Sequence, residues 1–299
     1  MINESADNSL NNIANDIKDI VLEEFSRVIT LIEEDLQKNY QKKMNNFLLS
    51  SLDDQIKAQM VFVSSFESKS GFAIEKCAKR IARLKYGEEN VPPIVNPRHL
   101  VHNVDPTTVE NQIVITDVDT NNGDLQGKIT AFRAKRVAKG RGQTRNESSV
   151  TQESIRYYLV PLADAYKTNV IHQKPVDLAF FDGTDWNVLE LKAGGDLDSS
   201  NAPSNVEKLL TIFTDMGIHN CNAYFATLYN KCGEGNNWNG TVKKHLNYPS
   251  MFLIGKDFWN KILPTGINFE TFTQIYREAL EDLNFSNRIN SLIETCANA

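Results

Sequence analysis

Three residues in the middle of the chain, Asp177, Glu190 and Lys192, have the types and spacing for metal-assisted hydrolysis. A hard divalent cation such as Mg²⁺ takes carboxylate oxygens, waters and substrate phosphates as its ligands. A lysine beside such a cation could orient or deprotonate a metal-bound water, or offset the charge that builds up on a phosphate. The alternative is that Glu190 and Lys192 form only a salt bridge on the surface of a hairpin.

A predicted β-hairpin brings these three side chains together. The segment Asp182-Gly-Thr-Asp185 is a tight turn between two runs of apolar residues. A turn centred on its Gly and Thr pairs Asp177 with Glu190, at Cβ distances of roughly 4.5–5.5 Å, and strand alternation puts Lys192 on the face of Glu190. Because like charges directly opposite each other are destabilising, this pairing indicates that a cation binds between the two carboxylates.

The same residues resemble the signature of the PD-(D/E)xK nuclease superfamily. They read Pro175-Val-Asp177, twelve intervening residues, then Glu190-Leu-Lys192. A helix is predicted before the motif, and a helix and a strand after it, as in the core of that superfamily. The Val inserted after Pro175 is a departure that leaves the role of Asp177 intact. The resemblance implies that Asp177 and Glu190 hold Mg²⁺ and that Lys192 assists hydrolysis of a DNA phosphodiester.

Neighbouring segments resemble the type II restriction endonucleases of the TdeIII-like group. These segments are Glu190-Leu-Lys-Ala-Gly-Gly-Asp-Leu-Asp, Leu228-Tyr-Asn-Lys-Cys-Gly-Glu-Gly-Asn-Asn-Trp-Asn and Ile254-Gly-Lys-Asp-Phe-Trp-Asn. The resemblance covers about residues 65–263. It implies a cytoplasmic bacterial enzyme that acts as a homodimer, cuts both strands of double-stranded DNA at a short palindrome and leaves 5′-phosphate ends. Members of that group are associated with the target GGNCC.

Glu75 is a further candidate for the site. The segment from Ser65 to Glu75 resembles the early helix from which many of these nucleases direct a glutamate toward the catalytic residues. The alternative is an exposed helical glutamate that pairs with Lys79 one turn later, an interaction of small energy.

A basic segment stands out in an otherwise acidic chain of net charge −6. Seven basic residues and no acidic residue lie between Lys128 and Arg145, which leaves 25 basic and 38 acidic residues elsewhere. We interpret 128–137 as a strand, and the segment as the DNA-binding surface, in which most side chains contact phosphates and one or two read guanine edges. The alternative is a solvated surface. The candidate DNA contacts are Arg133, Lys135, Arg136, Lys139, Arg141 and Arg145.

The remaining pattern predicts an α/β protein with a restriction-endonuclease-like core. Helical periodicity over 10–52 predicts an N-terminal helical arm (1–64), and residues 65–299 are predicted to form the nuclease domain, with a second helix opening at Gly71. The core stripe of that helix is predicted to be Phe72, Ile74, Cys77, Ala78, Ile81 and Leu84. We expect a mixed central β-sheet that contains the catalytic β-hairpin and is flanked by helices.

Composition excludes several other classes of protein. No apolar run is long enough for a membrane span, and MINESADNSL lacks the features of a secretory signal, which favours the cytoplasm and reduced cysteines. Three hypotheses remain: a Mg²⁺-dependent restriction endonuclease, a structure-selective repair or recombination nuclease of the same superfamily, and a non-catalytic DNA-binding protein. Discrete cutting of a plain duplex plasmid would separate the first two, and any metal-dependent hydrolysis would exclude the third.

Overall fold

The computed structural model describes residues 2–140, 146–194 and 197–298. The chain forms two compact units: residues up to Lys85 together with those from Leu263 onward make the first, and Tyr86–Ile262 make the second. The boundary expected between residues 64 and 65 falls inside a helix, so the division into arm and nuclease domain stays a prediction. None of the described helices is long and apolar enough to cross a membrane.

The described residues of the first unit form four α-helices. They are α1 (Ile2–Met44), most of α2 (Asp54–Tyr86), α7 (Phe269–Asp282) and α8 (Phe285–Ala297). The buried face of α1 repeats at helical spacing, and its residues include Ile17, Val21, Phe25, Val28, Ile32 and Leu36. Cys77, one of the four free cysteines, is buried on α2 against the backbone of α1.

Helix α2 corrects the expected second helix in two respects. It begins at Asp54 and runs through the polar segment at 67–70, which lies on the helix surface and does not interrupt it. Its core stripe is only partly as predicted, because Cys77, Ala78 and Ile81 are buried whereas Phe72 and Leu84 are exposed.

The described residues of the second unit form two mixed β-sheets. The strand order of the first sheet is β1 (Ile94–Val95), β2 (Ile113–Val118), β3 (Lys167–Pro175). The strand order of the second sheet is β4 (Leu178–Phe181), β5 (Trp186–Lys192), β6 (Cys221–Thr227), β7 (Phe252–Ile254). Pairs β1–β2, β5–β6 and β6–β7 are parallel, while β2–β3 and β4–β5 are antiparallel. The helices are α3 (Gly123–Lys135), α4 (Gln152–Ala165), α5 (Asn201–Met216) and α6 (Lys256–Ile262). The α/β class is confirmed, but the strands form two sheets where one central sheet was expected.

Gln112 explains where the two sheets separate. Its side-chain amide donates a 2.7 Å hydrogen bond to the carbonyl of Ala179 and accepts one of 2.7 Å from the Ala179 N–H. The Gln112 side chain therefore makes the hydrogen bonds to the backbone of β4 that a neighbouring strand would otherwise make. Its own carbonyl accepts from Val176 N, just after β3 ends. The chain is thus transferred from one sheet to the other between Pro175 and Leu178.

The predicted hairpin and its register are confirmed over four residue pairs. Leu178 pairs with Leu189, and Phe181 pairs with Trp186 beside the turn. Gly183 has φ +95°, a conformation that favours glycine, and the Asp182 carboxylate accepts hydrogen bonds from two backbone N–H groups of the turn. Asp182 is therefore a turn residue, as its position beside a glycine indicates.

The prediction of a strand at 128–137 is wrong, because residues up to Lys135 form helix α3. Leu125, Ile129 and Phe132 are buried at spacings of four and three, which is one face of a helix. The Asn122 side chain caps the N-terminus of α3. The basic residues of this segment up to Lys135 are therefore part of a helix.

We predict that Gln112→Leu lowers the free energy of unfolding by about 2–4 kcal/mol. Leucine fills a similar volume but leaves the buried N–H and C=O of Ala179 without partners. Urea denaturation measures the change. Gln173→Leu, the same substitution at an exposed position of β3, is the control and should change the free energy by less than about 0.5 kcal/mol. Equal effects of the two substitutions would contradict this role of Gln112.

Candidate active site

Asp177 lies in the short connection between β3 and β4. Its neighbours Val176 and Leu178 are buried, and its own side chain is 20% exposed. The Asp177 Oδ2 atom accepts a 2.9 Å hydrogen bond from Leu191 N. The carboxylate thus occupies the place of a backbone partner at the end of the hairpin, which fixes it beside the strand that carries Glu190.

Glu190 lies on β5, which is paired on both sides by β4 and β6. Its side chain is 0% exposed. Burial, followed by the charge of Asp177, raises the pKa of the Glu190 carboxyl. Lys192 Nζ donates a 2.7 Å hydrogen bond to Glu190 Oε1. The structure therefore brings Asp177, Glu190 and Lys192 together, although the strand pairing ends at Leu178 and Leu189, one pair before the predicted pair of Asp177 with Glu190.

A second lysine, which the sequence analysis missed, completes this cluster. Lys208 on α5 places Nζ 3.1 Å from Asp177 Oδ1 and 2.7 Å from Glu190 Oε2. Burial would lower the pKa of Lys208, but the charges of Asp177 and Glu190 outweigh it and raise the pKa. The sequence gives only a weak indication of Lys208. A helix that follows the hairpin is expected to pack on the sheet, but the spacing of residues does not show which side of the helix faces the hairpin.

The donor set of this cluster suits a magnesium ion. Within the described part of the chain, no three His, Cys, Asp or Glu side chains are grouped as metal ligands, so the site offers two carboxylates. Mg²⁺ is commonly held by one or two carboxylates together with waters and substrate phosphates. Glu190 Oε2 is buried and accepts no hydrogen bond from the described residues, although Lys208 is its close ionic neighbour. The pair Asp177 and Glu190 can therefore hold a cation.

Glu75 lies on α2, in the first unit, and is partly buried. Asp177, Glu190 and Lys192 belong to the second unit. The role of Glu75 at the site stays a prediction.

Two of the candidate DNA contacts are engaged within the protein. Arg133 donates a 2.7 Å hydrogen bond from Nε to Glu207 on α5, and its Nη1 lies 3.0 Å from His245 Nδ1. Burial, and then the charge of Arg133, lowers the pKa of His245 to about 4, so this imidazole is neutral at pH 7. Arg136 packs its guanidinium 4.0 Å from the ring centre of Phe132. These arginines stabilise the packing around α3.

The other candidates differ in exposure. Lys135 and Lys139 are exposed. Arg141 and Arg145 lie outside the described residues. Contact of any of the six basic residues with DNA stays a prediction. Among the four described residues, the exposed Lys135 and Lys139 are more accessible to DNA than Arg133 and Arg136.

A groove of about 320 Å³ adjoins Lys208. Asp215, one of its lining residues, is 1% exposed, and its Oδ1 accepts a 2.9 Å hydrogen bond from Thr120. Its Oδ2 has no hydrogen-bond partner among the described residues. Burial raises the pKa of Asp215 to about 7, against the smaller opposing effects of Thr120 and Lys174.

A family of known proteins matches more than half of the chain. The family model described as type II restriction endonuclease, HinfI, matches residues 107–279. The matched residues include Asp177, Glu190, Lys192 and Lys208, whereas Glu75 lies outside them. The sequence segments resemble the TdeIII-like group of type II restriction endonucleases. The family match confirms this resemblance at the level of a type II restriction endonuclease, and the family to which the chain belongs is HinfI. No curated protein and no solved structure matches the chain significantly.

Asp215 should make the stability of the protein depend on pH. Its pKa rises from 3.8 to about 7 on folding, so between these values the native state binds more protons than the unfolded state. The free energy of unfolding should therefore fall as pH rises through this window, by about 4 kcal/mol at most, and the loss should be complete above the native pKa. Asp215→Asn, which has no proton to lose, should remove this fall. Denaturation of both proteins from pH 5 to 8 measures it, and parallel curves would contradict the assignment.

Proposed function

Because the chain belongs to the HinfI family of type II restriction endonucleases, we propose that it hydrolyses both strands of double-stranded DNA at a short palindromic site, with Mg²⁺, and leaves 5′-phosphate ends. The observation that carries the proposal is the cluster of Asp177, Glu190 and Lys192 within the matched residues. Two carboxylates that converge at the end of a hairpin, with a lysine beside them, suit hydrolysis of a phosphodiester.

Each residue of the cluster has a distinct role in this proposal. Asp177 and Glu190 hold Mg²⁺, which supplies positive charge against the phosphate and lowers the pKa of a bound water. Lys192 is 29% exposed, so its ammonium can reach solvent and donate to a phosphate oxygen or to the attacking water. Glu75 is proposed as an additional acidic residue of the site.

A palindromic target favours a homodimer. A two-fold symmetric DNA site presents the same surface twice, and two identical subunits related by a two-fold axis match it. We therefore propose that two copies of the chain each cut one strand. GGNCC, the target associated with the TdeIII-like group, is the first sequence to examine at the mapped cut positions.

The exposed lysines near the end of α3 are proposed as DNA contacts. Lys135 and Lys139 lie in a basic segment of a chain with net charge −6. Positive charge directed at phosphates supplies most non-specific affinity for DNA. Arg136, Arg141 and Arg145 remain candidates for phosphate or base contacts in the same surface.

Digestion of a sequenced plasmid tests the function. The wild-type protein should give discrete fragments in Mg²⁺, whose ends are mapped and tested for 5′-phosphate by ligation. Asp177→Asn and Glu190→Gln should abolish cleavage because each replaces an oxygen anion of the metal pair, and Lys192→Met should slow it by about 10²–10³-fold. Ca²⁺, which takes the same oxygen ligands, should permit specific DNA binding without cleavage.

Asp185→Asn is the control for these variants. It removes a carboxylate from the turn of the same hairpin, away from the cluster, and should leave cleavage near the wild-type rate. Near-normal cutting by Asp177→Asn or Glu190→Gln would contradict the assigned site. Cleavage confined to branched or single-stranded DNA would favour a structure-selective nuclease, and absence of metal-dependent cleavage would favour a non-catalytic DNA-binding protein.

The lysine contacts predict a change in salt dependence. The double substitution Lys135→Gln with Lys139→Gln should weaken binding to cognate and scrambled duplexes equally, and should reduce the slope of log K against log salt by about two units. Arg133→Gln provides the contrast. Because Arg133 pairs with Glu207, its loss should lower thermal stability, and a slope reduced by about one unit would show that Arg133 contacts a phosphate as well. Fluorescence anisotropy in Ca²⁺ measures the slopes, and an unchanged slope in the double variant would exclude both lysines.

A further inference from the structure

Lys208 lies where two negative charges converge. The cluster contains two carboxylates and two ammonium groups, and Lys192 contacts Glu190. Of the cations in the described residues, Lys208 is the one that contacts both carboxylates, at 3.1 Å from Asp177 Oδ1 and 2.7 Å from Glu190 Oε2. Its charge therefore balances the pair.

The same two oxygens are those that a divalent cation requires. Mg²⁺ binds carboxylate oxygens at about 2.0–2.1 Å and Ca²⁺ at about 2.3–2.6 Å. An ammonium group that contacts both oxygens competes with such a cation, because the two positive charges would need the same space and the same partners. The Lys208 contact must break before Asp177 and Glu190 can hold a metal together.

The surroundings of Lys208 allow its side chain to move while its helix stays fixed. On α5, Val206, Leu209, Leu210 and Phe213 are fully buried, so the backbone of the helix is anchored in the core. The Lys208 side chain is 43% exposed. A lysine has a flexible stem and a compact charge, and it binds phosphate as a point charge.

We propose that Lys208 neutralises Asp177 and Glu190 in the free protein and transfers to a DNA phosphate when a divalent cation binds, so that metal and DNA bind with positive cooperativity. This inference rests on the proposed function, because it takes Asp177 and Glu190 as the metal ligands. Binding couplings are reciprocal, so DNA raises the affinity for the metal by the same factor as the metal raises the affinity for DNA.

Calcium titration of the free full-length protein tests the first half of the proposal. Isothermal titration calorimetry with Ca²⁺ is performed on the wild type, Lys208→Met and Lys208→Arg. The methionine variant removes the competing charge and keeps the length of the stem, so its Ca²⁺ dissociation constant should be about tenfold lower than that of the wild type. The arginine variant keeps the charge and should remain close to the wild type.

Lys174→Met is the matched control. Lys174 lines the same groove, but its Nζ binds Asn121, so its loss should leave the Ca²⁺ dissociation constant unchanged. Thermal melting verifies that each variant is folded. Equal Ca²⁺ affinity in wild type and Lys208→Met would overturn the inference while leaving the metal site in place. Absence of Ca²⁺ binding in both would overturn the metal site and hence the proposed function as well.

The second half is tested with DNA. Affinity for a duplex that carries the mapped cut site is measured with and without Ca²⁺, and the ratio of the two affinities gives the coupling. The wild type should show a ratio at least fivefold greater than Lys208→Met, because the variant has no ammonium to transfer to the phosphate. Equal ratios in the two proteins would overturn the transfer of Lys208 to DNA.

Discussion

The burial of Glu190 beside Asp177 is the constraint on which the rest of the second unit depends. A fully buried carboxylate with a second carboxylate nearby is unfavourable unless cations balance it. Lys192 is supplied by the same strand two residues later, and Lys208 is supplied by the helix that covers the sheet. The hairpin and α5 must therefore be placed together for either element to be stable. A site made in this way exists only in the folded unit.

The position of Asp177 depends on the break between the two sheets. A continuous strand would engage the backbone around residue 177 in a regular ladder. Here the side chain of Gln112 pairs with Ala179, and the side chain of Asp177 accepts the N–H of Leu191. Side chains thus replace backbone partners on both sides of the break, which satisfies the buried polar groups and turns the Asp177 carboxylate toward Glu190.

The sequence predicts the local parts of this arrangement and not the long-range ones. The hairpin register follows from its turn, because pairing on both strands is counted outward from a centre between Gly183 and Thr184. The separation of the sheets was not predictable, since Gln112 acts on a residue 67 positions away. Helix α3 was predicted as a strand because the segment 94–150 is rich in β-branched residues and turn signals, whereas the Asn122 cap and three buried residues favour a helix. Lys208 was missed because the rotation of α5 over the sheet is a tertiary property.

That rotation is set by the buried face of α5, which includes Val206, Leu209, Leu210 and Phe213, and the residue before Lys208 adds a further contact on one side of the helix. Glu207 is held by Arg133, which also contacts the neutral His245, so one side of α5 is tied to α3 and to the segment that carries His245. Consecutive residues of an α-helix are separated by about 100° around its axis. Fixing Glu207 on one side therefore directs Lys208 toward a different side, where Asp177 and Glu190 lie. Arg133 thus influences the candidate site through the orientation of a helix, which gives one member of the basic segment a structural role distinct from contact with DNA.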